Sequence, residues 1–244
     1  MNLKKDVIDD IAEWLDNYGE IIANERDLQV NLALALREKG SYDKVHLEYR
    51  VPVTLLKERL VDDGVIKETA DVNNPVFPWF NSSNYFVDIV VEKDGKFFPI
   101  ELKYATRSID NAYQVFGEGR SESILSDKAA NDIIMYHYWK DVRRLEVLSK
   151  LFKNVVGGIS VLVANPTAYY KKPHSQSSYR NFSTREGNVL GGLLNWDEKI
   201  GEHVRNNHPS FILDGSYVCR WEAMRINASR NGKEEIFKYL LIEI

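Results

Sequence analysis

The chain has 244 residues and only one cysteine, Cys219, and this scarcity excludes two classes of protein. A single cysteine supports neither a disulfide framework nor a thiolate zinc cluster, and it favours a reducing compartment. The first twenty residues, MNLKKDVIDDIAEWLDNYGE, carry too many charges for a secretory signal peptide, and the longest apolar run, VVGGISVLVA, is too short to span a bilayer. We therefore expect a cytoplasmic protein with no membrane partner.

Several common functional signatures are also missing. The five histidines show no metal-ligand spacing, and there is no Walker A, G-x-S-x-G or G-x-G-x-x-G pattern. The net charge of -4 argues against a protein that coats nucleic acid through bulk positive charge, although it leaves room for a local basic groove. No repeat, low-complexity tract or Pro/Gly/Ser linker divides the chain, so one domain over residues 1–244 is the simplest organisation.

Apolar periodicity predicts the order helix, helix, strand, hairpin, helix, strand, strand. These segments are residues 4–22, 25–39, 45–53, 86–104, 127–150, 157–166 and 237–244. Asn24 is the expected N-cap of the second helix, Gly40 its stop, and Ser126 opens the third helix. Residues 57–85 read as a long polar connection. The order predicts an α/β fold with a mixed central sheet flanked by helices.

The hairpin FVDIVVEKDGKFFPIELKY places three charged residues on strands that otherwise read as half buried. If Asp94-Gly95 forms a two-residue turn, counting back along both strands sets Asp88 directly opposite Glu101. Because side chains alternate, Asp88, Glu101 and Lys103 then share one face. The opposite, core face is formed by Val87, Ile89, Val91, Phe98, Ile100 and Leu102. Opposed carboxylates repel each other, and a divalent cation between them reverses that repulsion.

Asp88, a twelve-residue gap and then Glu101-Leu102-Lys103 on the second strand of a hairpin resemble the motif of the PD-(D/E)XK nuclease superfamily. The resemblance covers about residues 20–165 and implies a restriction-endonuclease-like core, with residues 166–244 as a C-terminal extension packed on it. It implies that Asp88 and Glu101 bind Mg²⁺, or Mn²⁺ as a substitute, and that Lys103 positions or activates the attacking water. Val87 stands where the superfamily's name has proline.

Many members of that superfamily add an acidic residue from an N-terminal helix, and Glu25 is the best match as a further catalytic and metal-binding residue. On a helical wheel it lies on the face of Leu28, Leu32 and Leu36. The helix dipole also favours a glutamate in a first turn, so this second explanation stays open. Asp27 sits in a capping-box-like position after Asn24. Glu48, on the outward face of its strand, reads as a surface residue, although a strand beside the hairpin would bring it near the metal.

Two segments further along bear on nucleic-acid contact. Residues 165–185 carry four basic side chains and no acid, which suits a phosphate-contacting loop, although a solvated loop explains them equally well. These four are Lys171, Lys172, Arg180 and Arg185. The helical stretch YHYWKDVRRLEVL is aromatic and basic, but its apolar residues surround most of the wheel. We therefore expect a buried helix with an Asp141–Arg144 or Arg143–Glu146 pair.

Together these features predict a Mg²⁺-dependent nuclease that hydrolyses phosphodiester bonds, in defence or DNA processing. DNA is a better candidate than RNA, and a homodimer is compatible with the sequence. One alternative is a catalytically inactive nucleic-acid-binding or scaffold protein with the same fold. Another is an unrelated α/β protein in which this hairpin face is simply solvated.

Overall fold

The computed structural model describes residues 2–62, 64, 84–127, 131–175 and 177–244. Over these ranges the chain has a mixed α/β fold with five α-helices and a six-stranded sheet. The elements are α1 (Leu3–Asn17), α2 (Glu25–Glu38), β1 (Lys44–Pro52), α3 (Val53–Asp62), β2 (Asn84–Lys93), β3 (Lys96–Ala105), β4 (Ala112–Val115), β5 (Glu118–Ser123), α4 (Asn131–Leu151), β6 (Ile159–Ala164), β7 (Val189–Leu194), α5 (Glu202–Asn207), β8 (Phe211–Val218), β9 (Trp221–Ala223), β10 (Ala228–Arg230), β11 (Lys233–Glu235) and β12 (Lys238–Glu243).

The main sheet has the strand order β1-β2-β3-β6-β12-β9. Only β3 and β6 are parallel neighbours among these strands, and α4 lies in the crossover between them, as a parallel pair requires. Apolar side chains of α1 and α2 pack in one cluster with one set of sheet residues, while α3 and α4 pack with others. The predicted mixed sheet flanked by helices is confirmed.

The central hairpin has the predicted register over most of its length. Ile89 pairs with Ile100, and the pairs run from there to the turn at Asp94-Gly95. Both turn residues have positive φ, 49° and 69°, as a type I′ turn requires. The ladder ends at the Ile89–Ile100 pair, one step before Asp88 and Glu101. These two residues are therefore not partners in the ladder, and β2 and β3 part at this point.

The predicted core face is correct for five of its six residues. Ile89, Val91, Phe98, Ile100 and Leu102 are buried in the cluster that contains α1 and α2.

Val87 is the exception. It is buried, but it packs in a different cluster with Tyr85 and Leu148 of α4. The alternation breaks beside Asp88, where the β1–β2 pairing also skips a step and Glu48 of β1 has φ 50°.

Two predicted helix boundaries are wrong. The first helix ends at Asn17 rather than at residue 22, because Tyr18 takes an extended backbone while its N–H closes the last turn on Trp14 O. The third helix begins at Asn131. Asp127, expected inside it, is not helical, and its carboxylate accepts a hydrogen bond from Ser108 N.

The predicted caps of α2 are present. Asn24 accepts from Asp27 N, and Gly40, with φ 65°, follows the helix and donates its N–H to Arg37 O.

The predicted polar connection is wrong at its start, because residues 53–62 form α3. Leu56 and Leu60, four positions apart, bury one side of this helix. The strand before it accordingly stops at Pro52 instead of residue 53. Residues 65–83, which hold most of the predicted connection, lie outside the described residues.

The segment after β6 contributes to the main sheet. β12 pairs with both β6 and β9, so a strand from the predicted C-terminal extension lies inside the sheet. Three further two-stranded sheets, β4–β5, β7–β8 and β10–β11, were not predicted. Over the described ranges, no helix combines the length and the apolar character that crossing a membrane demands.

Candidate functional site

The candidate site lies where β2 and β3 part. Asp88 Oδ2 accepts a hydrogen bond of 2.7 Å from Leu102 N, so a side chain occupies the place that a strand carbonyl would fill. Gln29 Nε2 of α2 donates to the backbone oxygen of Asp88 at 2.7 Å. Asp88 is thus held from both its backbone and its side chain.

Glu25 makes the same kind of contact two residues further along β3. Its Oε2 accepts from Tyr104 N at 2.9 Å. Since N–H groups two residues apart on a strand point the same way, Glu25 and Asp88 bind neighbouring donors on one edge of β3. The burial of Leu28, Leu32 and Leu36 in the core fixes the face that α2 presents. Asp27 instead accepts from Ala23 N and lies at the helix start, as its capping position suggested.

Glu101 and Lys103 lie on the side of β3 that α4 covers. Glu101 is 3% exposed and accepts a hydrogen bond from the Tyr85 hydroxyl, while the Arg144 guanidinium lies over the Tyr85 ring. Lys103 Nζ is 2.7 Å from Asp141 Oδ2 on α4. Because this face is buried against a helix, the solvated-hairpin interpretation does not hold for it.

Burial and charge shift the pKa values of these groups. Burial raises the pKa of Asp88 to about 6, although the nearby Lys103 charge and the Leu102 N–H oppose the shift. Burial likewise raises the pKa of Glu101 well above its usual range, and the charges of Asp141 and Asp88 add to the effect.

The Lys103–Asp141 pair is held in its charged form. Burial opposes both charges, but Asp141 and the other nearby carboxylates outweigh it and raise the pKa of Lys103. On Asp141, the charges of Lys103 and Arg144 outweigh burial and lower the pKa of that carboxyl.

An acidic cavity of about 310 Å³ opens beside Asp88. Glu25, Gln29, Glu48 and Asp88 contribute to its lining, and Glu48 Oε1 accepts from Gln29 Nε2 at 3.1 Å. Glu48 therefore lies beside the candidate site rather than on a remote surface. One carboxylate oxygen of Asp88 and one of Glu25 accept hydrogen bonds from N–H groups of β3. The second oxygen of each side chain accepts no hydrogen bond from the described residues.

These spare oxygens suit a hard, oxygen-seeking cation such as Mg²⁺. In the described part of the chain, however, no three His, Cys, Asp or Glu side chains are grouped to hold a metal ion. Glu101 does not line the cavity, because it is turned toward Tyr85. Asp88 and Glu25 thus fit a cation site, and Glu101 joins them only by leaving Tyr85.

No family model, curated protein or solved structure matches this chain. The assignment of chemistry to this site therefore depends on the residues and their geometry.

The four basic residues proposed for nucleic-acid contact lie between β6 and β7. They take part in none of the contacts described above. Lys171 and Lys172 are exposed. Arg180 forms an ion pair with Asp197 and donates to Ser175 O at 3.0 Å, so its charge is already balanced. Arg185 is partly buried.

Two residues of the site, Asp141 and Tyr85, were not predicted to belong to it. The predicted Asp141–Arg144 and Arg143–Glu146 pairs are both present on α4, at 3.1 and 2.9 Å, but Asp141 also binds Lys103. Tyr85, the partner of Glu101, was the other residue missed. An acid on an otherwise buried helix was the available signal for Asp141, because such a group needs a cationic partner.

Proposed function

We propose that this protein is a Mg²⁺-dependent nuclease that hydrolyses DNA, with a restriction-endonuclease-like core. The observation that carries the proposal is the meeting of Asp88 and Glu25 at one cavity, with Glu101 and Lys103 on the same stretch of β3. Two carboxylates with spare oxygens, a third acid and a buried lysine are the groups that metal-assisted phosphodiester hydrolysis needs.

In this proposal Asp88 and Glu25 would hold the cation, and Glu101 would join them on leaving Tyr85. A bound Mg²⁺ would neutralise charge on the phosphodiester and would lower the pKa of a bound water, so that hydroxide forms more readily. The Leu102 and Tyr104 N–H groups orient Asp88 and Glu25 before any ligand arrives. Lys103 stays protonated because of Asp141, and it acts as a cationic donor to the attacking water or the phosphate.

One observation favours the second candidate, an inactive nucleic-acid-binding or scaffold protein. All four predicted catalytic residues already have protein partners: Glu25 and Asp88 bind backbone N–H groups, Glu101 binds Tyr85 and Lys103 binds Asp141. Each contact has a structural value without catalysis. The two candidates differ in whether the parent protein cleaves nucleic acid.

Cleavage assays with Mg²⁺ or Mn²⁺ on duplex, single-stranded and branched DNA, and on RNA, test the proposal. We expect Asp88→Asn, Glu101→Gln and Lys103→Ala to lower cleavage by a factor on the order of 10² or more, because the first two remove a carboxylate ligand of the cation and the third removes the cationic donor. Lys103→Ala is expected to retain metal binding. Asp94→Asn, which neutralises an exposed carboxylate at the turn of the same hairpin, is the matched control.

Two results contradict the proposal in different ways. If the parent cleaves none of these substrates, the binding or scaffold function replaces it. If Asp88→Asn cleaves as fast as the parent, the protein is a nuclease whose active site lies elsewhere.

A further inference from the structure

Lys140 is a cation on α4 whose placement the proposed mechanism does not use. His137, Lys140, Asp141 and Arg144 recur at intervals of three and four residues, so they follow one side of the helix. Asp141 is bound by Lys103 and Arg144. Among the described residues, the Lys140 ammonium has no hydrogen-bond or ion-pair partner, although most of its side chain is covered.

The surroundings of Lys140 do not balance its charge. The Arg144 and Lys103 charges act against a charged Lys140, whereas Asp141 and Glu101 are the acids that favour it. Burial lowers the pKa of His137 to about 3 and also lowers the pKa of His208, so these neighbours add no positive charge near neutral pH. Asp141 is already shared between Lys103 and Arg144, and Glu101 is buried against Tyr85. Burial, followed by the Arg144 charge, lowers the pKa of Lys140 to about 8.

A partly exposed ammonium without a counter-charge is a ready site for an anion. Burying an unpaired charge is unfavourable, and a bound anion removes that cost while the exposed part of the side chain keeps the site accessible. A nucleic-acid strand presents such anions in a row, one on each phosphate. In the proposed mechanism, the phosphate at the cation site has the cation held by Asp88, Glu25 and Glu101, and it has Lys103 as a donor. The adjoining phosphate therefore needs a different cation.

We propose that Lys140 binds a backbone phosphate of the nucleic-acid strand, next to the phosphodiester that is cleaved. This inference rests on the proposed nuclease function, because that function places a strand along β3 and α4. Lys140 acts as a positioning residue: its contact with the strand fixes which phosphodiester lies over Asp88. The contact is independent of base identity, since it involves the phosphate alone.

Binding of a fluorescein-labelled DNA duplex in Ca²⁺, without cleavage, tests the inference with Lys140→Met and the control Lys150→Met. Lys150 is exposed on the same helix, so its loss changes the net charge equally. We expect Lys140→Met to weaken binding roughly tenfold and to lower the salt dependence by about one phosphate contact, and Lys150→Met to change binding less than about twofold. Parent binding should also weaken as pH rises through about 8, and Lys140→Met should lose that dependence.

Thermal unfolding separates this role from a structural one. Because Lys140 has no partner among the residues that the structure describes, Lys140→Met should melt at the same temperature as the parent or higher, whereas a lysine that stabilised the fold would give a lower value.

The outcomes separate this inference from the proposed function. Equal binding by Lys140→Met and Lys150→Met, with cleavage by the parent, overturns the inference alone. Binding that depends on Lys140, without cleavage by the parent, supports the phosphate contact at Lys140, overturns its role beside a cleaved phosphodiester and overturns the nuclease. A parent that binds no duplex overturns the Lys140 site.

Discussion

At the scale of single residues, Asp88 replaces a missing strand partner. Where β2 leaves β3, the Leu102 N–H would lack an acceptor, and the Asp88 carboxylate supplies one at 2.7 Å. An unpaired buried N–H is costly, so this contact has a structural value in addition to any catalytic one. An asparagine oxygen can accept the same hydrogen bond, which allows charge and hydrogen bonding to be separated by experiment.

Asp88→Asn is expected to change how stability depends on pH. Burial raises the pKa of Asp88 to about 6 in the folded protein, above the ordinary value of 3.8, so the folded state holds the proton more tightly. The parent therefore loses stability as pH rises from about 4 to 6. Relative to the parent, Asp88→Asn should be equal near pH 4 and more stable by up to about 3 kcal/mol at pH 7.

Urea unfolding of both proteins between pH 4 and 8 measures this difference, with Asp94→Asn as the control. The control removes a carboxylate at the exposed turn and should follow the parent curve. A difference between Asp88→Asn and the parent that stays constant with pH would show that Asp88 is not destabilised by its charge.

At the scale of elements, α2 and α4 belong to different hydrophobic clusters, and both bring side chains to the same end of β3. The first turn of α2 supplies Glu25, and the middle of α4 supplies Asp141 for Lys103. The rotation of each helix about its own axis decides which of its residues face β3, and so it determines both contacts. The buried face of α2 is marked in the sequence by Leu28, Leu32 and Leu36. The position of Glu25 on that face is therefore predictable from the sequence alone.

The role of α4 was not readable in the same way. Its apolar residues occupy most of the helix surface, and pairing Asp141 with Arg144 within the helix already satisfied the acid. The Lys103 contact joins residues on β3 and α4, far apart in the chain, and it depends on the packing of that helix over the strand. The register of the hairpin followed from its turn, but the end of its ladder depends on tertiary contacts at Gln29 and Glu25.

Glu25→Gln tests the contribution of α2 to metal binding. The amide oxygen can still accept from Tyr104 N, so the melting temperature should change by only a few degrees. Metal affinity should fall by roughly tenfold or more, because a charged ligand becomes neutral. Titration calorimetry with Mn²⁺ and thermal unfolding measure the two effects, and Glu38→Gln, at the exposed end of the same helix, is the control. Unchanged Mn²⁺ affinity would leave Glu25 as a helix-start and β3-binding residue.

At the scale of the whole molecule, a strand from the predicted C-terminal extension lies inside the main sheet. β12 lies between β6 and β9, so residues from the predicted extension complete the layer that also contains the candidate site. The sequence predicted β12 as a strand because FKYLLIEI is apolar and rich in strand-forming residues. Its position was not predictable, because partner choice in a sheet depends on the whole fold rather than on local pattern.

Leu240→Ala tests how closely β12 is integrated. Leu240 is completely buried, so truncation should cost about 2–5 kcal/mol through lost burial and a residual cavity. Leu193→Ala on β7, where the leucine is 59% exposed, should cost less than about 1 kcal/mol. Both proteins should still unfold in one transition by circular dichroism and by tryptophan fluorescence. Two separate transitions would show that the region after β6 folds as a unit of its own.

The place of β12 also has a consequence for synthesis on the ribosome. β6, an apolar strand buried along its whole length, has β12 on one side, and β12 is made some seventy residues later. Until then, β6 offers an open edge on which another nascent chain can pair. Ribosome-bound chains stalled before Lys238 should therefore be cleaved by protease near β6 and should associate with chaperones that bind apolar strands. Chains in which β12 has cleared the exit tunnel should resist the protease.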